Sequence, residues 1–206
     1  MKKLFLALIL SIVYGNSYTQ NTYPIPQPGS IWGSYFHDLS VGQTYDDSYY
    51  YNGDTLLCGI TWGKLYKNSS NTLYKLVRED SGVVITRSPY LSCLIPEDTL
   101  LNFNLAMGQA FYRFGLYMGV VDSIGSITVL NGQLRKYIRL SNNFNSYEWV
   151  EGIGDLKYGL IGNLICIDGI RELACHYDSS GIVHYNSISD PSIFIFIKST
   201  FIIPNS

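Results

Sequence analysis

The chain has 206 residues, with 14 basic and 16 acidic side chains and a formal charge of −2. This balance argues against nucleic-acid binding, which requires a basic surface. Its 18 tyrosines, nine phenylalanines and three tryptophans instead suit the pleated, half-buried surface of a β-sheet.

Residues 1–17 have the pattern of a secretory signal peptide: two lysines, an apolar run (LFLALILSIV) and small residues after it. The apolar run is about ten residues long, whereas a membrane span needs about 20. We therefore expect cleavage after residue 17, no stable membrane insertion of the mature chain, and a secreted or cell-surface protein, with the periplasm as the alternative. Loss of Lys2 and Lys3 leaves 12 basic against 16 acidic side chains.

Residues 18–30 are predicted to be a proline-rich extended leader. The stretch NTYPIPQPG has prolines at three alternate positions. Proline fixes φ and has no N–H to donate, so this pattern favours an extended segment over a strand in the middle of a sheet.

Residues 31–187 are predicted to form one all-β domain, an antiparallel meander of hairpins that makes a closed or half-open barrel. A two-sheet β-sandwich is the alternative. Short alternating runs separated by turn signals support this class, because no segment keeps a helical period. The predicted turns are Asn52-Gly53, Asn131-Gly132, Asp80-Ser81-Gly82 and Asp178-Ser179-Ser180-Gly181.

Residues 188–206 form an apolar tail with a single charge, Lys198, between Ile193 and Ile203. Two interpretations stay open, a last buried strand and a truncated remnant of a longer segment.

Strand register is predicted from the turns. A two-residue loop at Asn131-Gly132, a type I′ turn, pairs Val129 with Leu134. One face of the strand that follows is then predicted to point into the core. Leu134, Lys136, Ile138 and Leu140 lie on that face, because side chains alternate along a strand.

The next hairpin closes over SNNFNS, residues 141–146, so that Leu140 faces Tyr147. Arg139 then faces Glu148, and Lys136 faces Glu151. Glu148 and Glu151 lie on opposite sheet faces, which argues against a catalytic pair. Glu148 is predicted to be an exposed partner of Arg139.

Lys136, Glu151 and Trp149 are the candidate interior ligand handle. An inward ion pair is costly to desolvate, so it either binds a ligand, fixes the register or lies near an open rim. We favour the structural roles.

His176, His184 and Asp178 are weak candidate metal ligands. A three-residue loop at Ser179-Ser180-Gly181 places His176 opposite His184 on one face with Asp178. Three ligands are incomplete for structural zinc, so we favour a surface histidine pair, and no metal site is predicted.

Four cysteines in an exported chain permit two disulfides with three connectivities. We favour Cys58–Cys93 and Cys166–Cys175, the second closing a short loop. No Cys-x-x-Cys motif is present, which argues against a thioredoxin-like role.

Six motifs between residues 31 and 187 carry a family resemblance: NGDTLLCGITWGKLY (52–66), VREDSGVVI (77–85), EDTLLNFNLAMGQ (97–109), VDSIGSITVLNGQLRKYIRL (121–140), WVEGIGDLKYGL (149–160) and LACHYDSSGIVHYNS (173–187). They resemble a group of uncharacterised exported β-rich proteins of Bacteroidota, many of which carry a C-terminal sorting domain for type IX secretion. The resemblance implies secretion or surface display and no particular activity. The chain departs from the pattern after Ser187, where only the apolar tail stands in place of a sorting domain.

No nucleophile elbow, Walker loop, His-Glu-x-x-His or Rossmann fingerprint occurs. We therefore predict no catalytic residue and no cofactor. The leading hypothesis is an exported non-catalytic binding or scaffolding module for an unknown small molecule, glycan or surface protein. A secreted hydrolase with an unrecognised active site is the alternative.

Overall fold

The computed structural model describes residues 23, 25, 27, 29–38, 40–46, 48–157, 160, 169–177 and 183–186. These residues contain strands and turns but no α-helix, and none of them belongs to a helix long and apolar enough to cross a membrane. The predicted signal peptide and apolar tail lie outside the described residues.

Fourteen strands occur in this part of the chain: β1 Ile31–Asp38, β2 Gln43–Asp46, β3 Tyr49–Leu57, β4 Ile60–Lys67, β5 Thr72–Asp80, β6 Val83–Arg87, β7 Asp98–Asn102, β8 Ala110–Arg113, β9 Leu116–Thr128, β10 Leu134–Ser141, β11 Ser146–Val150, β12 Gly154–Asp155, β13 Gly169–Tyr177 and β14 Val183–Asn186.

The strands form two antiparallel sheets, each curled into a half-barrel, so the predicted all-β class is confirmed. The first sheet has the order β14-β13-β1-β3-β4-β5-β6-β7, with β2 also paired to β1. The second has the order β12-β11-β10-β9-β8. Most neighbours are consecutive in the chain, as in a meander, and β13 returns to pair with β1.

One apolar core joins the two sheets. Trp32, Leu65 and Val77 enter it from the first sheet, and Ile138 and Trp149 enter it from the second. Each is at most 2 % exposed, and burial of side chains this large contributes about 1.5–3 kcal/mol apiece. The Trp32 indole also donates to the carbonyl of Ile153 at 2.6 Å, across the sheets.

Three tight hairpins use a two-residue loop in which both residues have positive φ: Cys58-Gly59, Ser81-Gly82 and Phe114-Gly115. This is the type I′ geometry that suits the twist of the strands. The predicted turn at Asp80-Ser81-Gly82 is therefore confirmed. The turn predicted at 178–181 lies outside the described residues.

The two Asn-Gly turns differ from the prediction. Asn52-Gly53 lies inside β3, where the register shifts between Tyr51 and Asp54, so Gly53 marks a bulge and the hairpin closes later at Cys58-Gly59. At Asn131-Gly132 the amide of Val129 donates to the carbonyl of Gln133. The loop therefore has three residues, with only the last in the left-handed region.

This extra loop residue shifts the β9–β10 register by one, so Leu134 pairs with Thr128 rather than Val129. The predicted core face is wrong at its start: Leu134 is exposed, whereas Arg135 is buried. Further along β10 the core face is as predicted, with Ile138 and Leu140 fully buried.

Candidate functional site

The backbone brings Lys136 and Glu151 together as the sequence predicts. Strands β10 and β11 pair Ile138 with Trp149 and Arg139 with Glu148, and the amide of Glu151 donates to the carbonyl of Lys136 at 2.9 Å. Trp149 lies in the core, with its ring edge-on to that of Phe111 at 4.9 Å between centroids.

The side chains of Lys136 and Glu151 do not bind each other. The ammonium of Lys136 donates to the carbonyl of Phe103 at 2.6 Å, a residue of the turn after β7. Among the described residues no ion pair within 4 Å joins Lys136 to Glu151. Lys136 therefore links the two sheets through a main-chain oxygen.

The exposed ion pair predicted between Arg139 and Glu148 is also replaced. The two residues face each other in the register, but the guanidinium of Arg139 donates to Asp122 of β9 at 2.7 Å. Burial raises the pKa of Tyr137, and the charge of the neighbouring Glu148 adds to this rise. An exposed pair of this kind contributes at most about 1 kcal/mol.

A buried carboxyl group, Glu151, and a half-buried one, Glu79, lie near each other at the seam between the sheets. Burial is the largest influence on the Glu151 carboxyl and raises its pKa, although the N–H and the charge of Lys136, the charge of Arg135 and the N–H of Tyr23 lower it. Burial likewise raises the pKa of Glu79 on β5, and the negative charge of Glu151 adds to this rise. The two acids are thus electrostatically coupled across the seam.

Arg135 closes the same region from the side of β10. Its guanidinium donates to the carbonyl of Glu151 at 3.3 Å and to the side chain of Gln133 at 2.6 Å. It also lies over the ring of Tyr23, 3.4 Å from the centroid. Tyr23 of the leader thus packs beside Glu151 of the predicted interior handle.

The histidine prediction is wrong in its register. Strand β13 pairs His176 with Tyr185, and a bulge follows between His176 and Tyr177, so His176 does not face His184. His176 is buried rather than on the surface, with its ring 5.0 Å from that of Trp32. Asp178 lies outside the described residues, which hold no cluster of three metal-ligating side chains.

The predicted disulfide between Cys58 and Cys93 is confirmed, with Cα atoms 5.8 Å apart. It ties the β3–β4 hairpin to the loop between β6 and β7. The second predicted bridge involves Cys166, which lies outside the described residues.

An open surface suited to binding a ligand lies at the other end of the second sheet. Four large aromatic side chains are exposed there, on the β8–β9 hairpin and the β10–β11 loop, and we call this surface the aromatic end: Tyr112 (58 %), Phe114 (68 %), Tyr117 (48 %) and Phe144 (91 %). Arg135 and Ser141, at opposite ends of β10, are about 20 Å apart at 3.3 Å per residue. The aromatic end is therefore remote from the seam.

A depression of about 330 Å³ lies within the aromatic end, lined by Tyr117, Asn142, Asn143 and Phe144. All four lining side chains are uncharged. The amide of Asn143 is exposed and offers both a donor and an acceptor. The volume lies at the lower limit for small-molecule sites, which are commonly 300–1,000 Å³.

The β10–β11 loop is held rigidly although its side chains are exposed. The Asn142 side chain accepts the amides of Phe144 and Asn145, each at 2.8 Å, and donates to the carbonyl of Met118 at 2.7 Å. The sequence analysis missed this surface. Its signal was a phenylalanine within an otherwise polar loop, SNNFNS, and another, Phe114, directly before a glycine.

No family model, curated protein or solved structure matches this chain.

Proposed function

We propose that the protein is an exported, non-catalytic module that binds a neutral glycan at the aromatic end. The observation that carries this proposal is the exposure of four aromatic rings on the β8–β9 hairpin and on the neighbouring β10–β11 loop. A large exposed apolar surface commonly marks an interaction site, and Tyr and Phe are enriched at such sites.

The chemistry of the depression favours a sugar over an ion. A pyranose ring has an apolar C–H face, which packs on an aromatic ring, and hydroxyl groups at its edge, which need donors and acceptors. Tyr117 and Phe144 supply the rings, and the Asn143 amide supplies the polar group. No lining residue carries a charge that would select an ionic ligand.

Export is supported by the signal-like segment, residues 1–17, and by the resemblance to exported proteins of Bacteroidota. The Cys58–Cys93 disulfide is compatible with an oxidising compartment. Mass spectrometry of the culture medium tests this part, with an N-terminus near Tyr18 as the expected result. Retention of the full chain, with Lys2 and Lys3, inside the cell would contradict export.

Calorimetric titration of the mature chain with neutral hexasaccharides of β-linked and α-linked glucose, xylose and N-acetylglucosamine tests the ligand class. We expect one of them to bind with a Kd below about 1 mM. Tyr117→Ala and Phe144→Ala should weaken binding at least tenfold. Tyr90→Ala is the matched control, because Tyr90 is 78 % exposed on the β6–β7 loop.

Equal loss of affinity in Tyr90→Ala, or no binding across the panel, would overturn the glycan proposal. If the exposed rings instead form a protein interface, the folded chain binds no hexasaccharide.

A secreted hydrolase remains the second candidate because of one observation, the coupled carboxyls Glu79 and Glu151. A pair of acids with displaced pKa values is typical of acid–base catalysis. Both, however, face N–H groups of the leader, so substrate reaches them only when the leader leaves. Hydrolysis of aryl glycosides that is abolished by both Glu79→Gln and Glu151→Gln would favour this candidate.

A further inference from the structure

The leader carries very few hydrogen-bond donors, and both that are described near the seam face an acid. Prolines at 24, 26 and 28 have no N–H, so the main chain of Tyr23 to Pro28 can donate only at alternate residues. The amide of Ile25 donates to Glu79 at 2.7 Å. The N–H of Tyr23 faces the Glu151 carboxyl and lowers its pKa.

The two acids come from different sheets. Glu79 lies on β5 of the first sheet, and Glu151 follows β11 of the second. The described leader residues therefore lie between the two sheets, with Ile25 bonded to one wall and Tyr23 beside the other. The bond from Ile25 does not belong to a sheet ladder, because its acceptor is a side chain.

The side chains of Tyr23 and Ile25 each pack against a different part of the protein. Ile25 is 1 % exposed and belongs to the shared core. The ring of Tyr23 packs under the guanidinium of Arg135. The ring quadrupole attracts a cation placed over its face, and the attraction is stronger when water is excluded.

Gly152 makes this close approach feasible. Its φ is +78°, and a Cβ at this position would lie 2.9 Å from the Cβ of Tyr23 and closer still to the Arg135 guanidinium. A larger residue at position 152 would therefore press on both Tyr23 and Arg135.

From these contacts we propose that the inter-sheet cleft is a peptide-binding site for an aromatic and an aliphatic side chain two residues apart, and that Tyr23 and Ile25 are its intramolecular ligand. The leader is a displaceable ligand rather than an integral strand, and the vacated cleft binds the same sequence in trans. This mode uses a preformed extended proline-rich peptide, which loses little entropy on binding.

This site is separate from the aromatic end, so neither proposal depends on the other. The test uses the full mature chain carrying Tyr23→Ala and Ile25→Ala, and a fluorescent peptide of residues 21–28 (NTYPIPQP). We expect saturable binding to this variant. The wild-type chain should bind at least tenfold more weakly, because its own leader competes at an effective concentration in the millimolar range.

Two control peptides separate the contributions. A peptide with alanine in place of Tyr23 and Ile25 removes the side chains, whereas one with an N-methyl group on Ile25 removes only the donor to Glu79. Each should bind at least tenfold more weakly. Binding of the variant to all three peptides alike would overturn the proposal, as would no binding by a folded variant.

If the double variant does not fold alone, it is refolded with millimolar peptide and followed by circular dichroism. Recovery of a cooperative unfolding transition with NTYPIPQP, and not with the alanine peptide, supports the proposal. Failure of the peptide to restore folding overturns it.

Discussion

Lys136 and Glu151 are neighbours through their main chains, and their side chains form no ion pair within 4 Å. The amide of Glu151 donates to the carbonyl of Lys136 at 2.9 Å, while the Lys136 ammonium donates to the carbonyl of Phe103 at 2.6 Å. The register that the sequence predicts for these residues is therefore correct, although the ion pair expected from it does not form.

A double-mutant cycle distinguishes these two partners of Lys136. Lys136→Met leaves the Phe103 carbonyl without its charged donor, which should destabilise the protein by roughly 1–3 kcal/mol. Combined with Glu151→Gln, the coupling energy should stay below about 0.5 kcal/mol. Urea unfolding of the four proteins measures this. A coupling energy as large as the Lys136→Met effect would mean that the two charges do interact directly.

The β10–β11 pairing was predictable because several independent constraints agree on it. Opposite charges and facing apolar residues match in one register only, and a slip of one residue loses every match. The β9–β10 pairing had a single constraint, the Asn131-Gly132 loop. Asn-Gly fits both a two-residue loop and a three-residue loop with a glycine bulge, so this register was shifted by one residue.

Docking of the leader could not be predicted from local patterns. Ile25 and its acceptor Glu79 are 54 residues apart in the chain, and no local pattern in either segment indicates a contact with the other. The prolines predicted an extended segment outside the sheet, and the described leader residues belong to no strand. They could not show that the remaining N–H groups would face two acids.

The acids at the seam predict an unusual pH dependence. The pKa of Glu79 is raised in the folded state, so the folded protein holds this proton more tightly than the unfolded chain. The resulting stability is fully present below the ordinary glutamate pKa of 4.5 and is lost as pH rises through the folded pKa. Each unit of displacement is worth about 1.4 kcal/mol before solvent screening.

Glu79→Gln removes this titration while keeping an acceptor for the Ile25 amide. The variant should therefore gain stability relative to wild type as pH rises from 4.5 towards 8, with urea midpoints as the measurement. Glu97→Gln is the control, because it removes a carboxylate that lies just before β7 and pairs with Arg78 of β5. A pH slope that changes equally in both variants would exclude Glu79 as the cause.

The Cys58–Cys93 bridge closes a separation of 35 residues. Replacing both cysteines by serine should lower the unfolding free energy by roughly 3–4 kcal/mol, because the cross-link restricts the unfolded chain. Arg87 holds the same loop by donating to the carbonyl of Ser92 at 2.8 Å, so the folded loop should persist. Urea unfolding of oxidised wild type and the double serine variant measures the difference.

Alkylation of the unfolded, unreduced wild-type chain extends this test to the second predicted bridge. Complete protection of all four cysteines would support Cys166–Cys175, whereas two reactive thiols would contradict it. A double serine variant as stable as wild type would show that the bridge adds nothing to stability.

Gly152 tests whether the leader cleft is as tight as its contacts indicate. Alanine at this position incurs the cost of a positive φ, about 1–2 kcal/mol, and a clash with Tyr23 and Arg135 that adds roughly 1–3 kcal/mol. Gly132→Ala is the matched control, since its φ is +82° but no atom lies within 4 Å of the added Cβ. Gly152→Ala should therefore be the less stable variant in urea, and hydrogen exchange at the Ile25 amide should accelerate in it alone. Equal destabilisation with unchanged exchange would mean that the leader is not held against this wall, because backbone strain would then account for the whole effect.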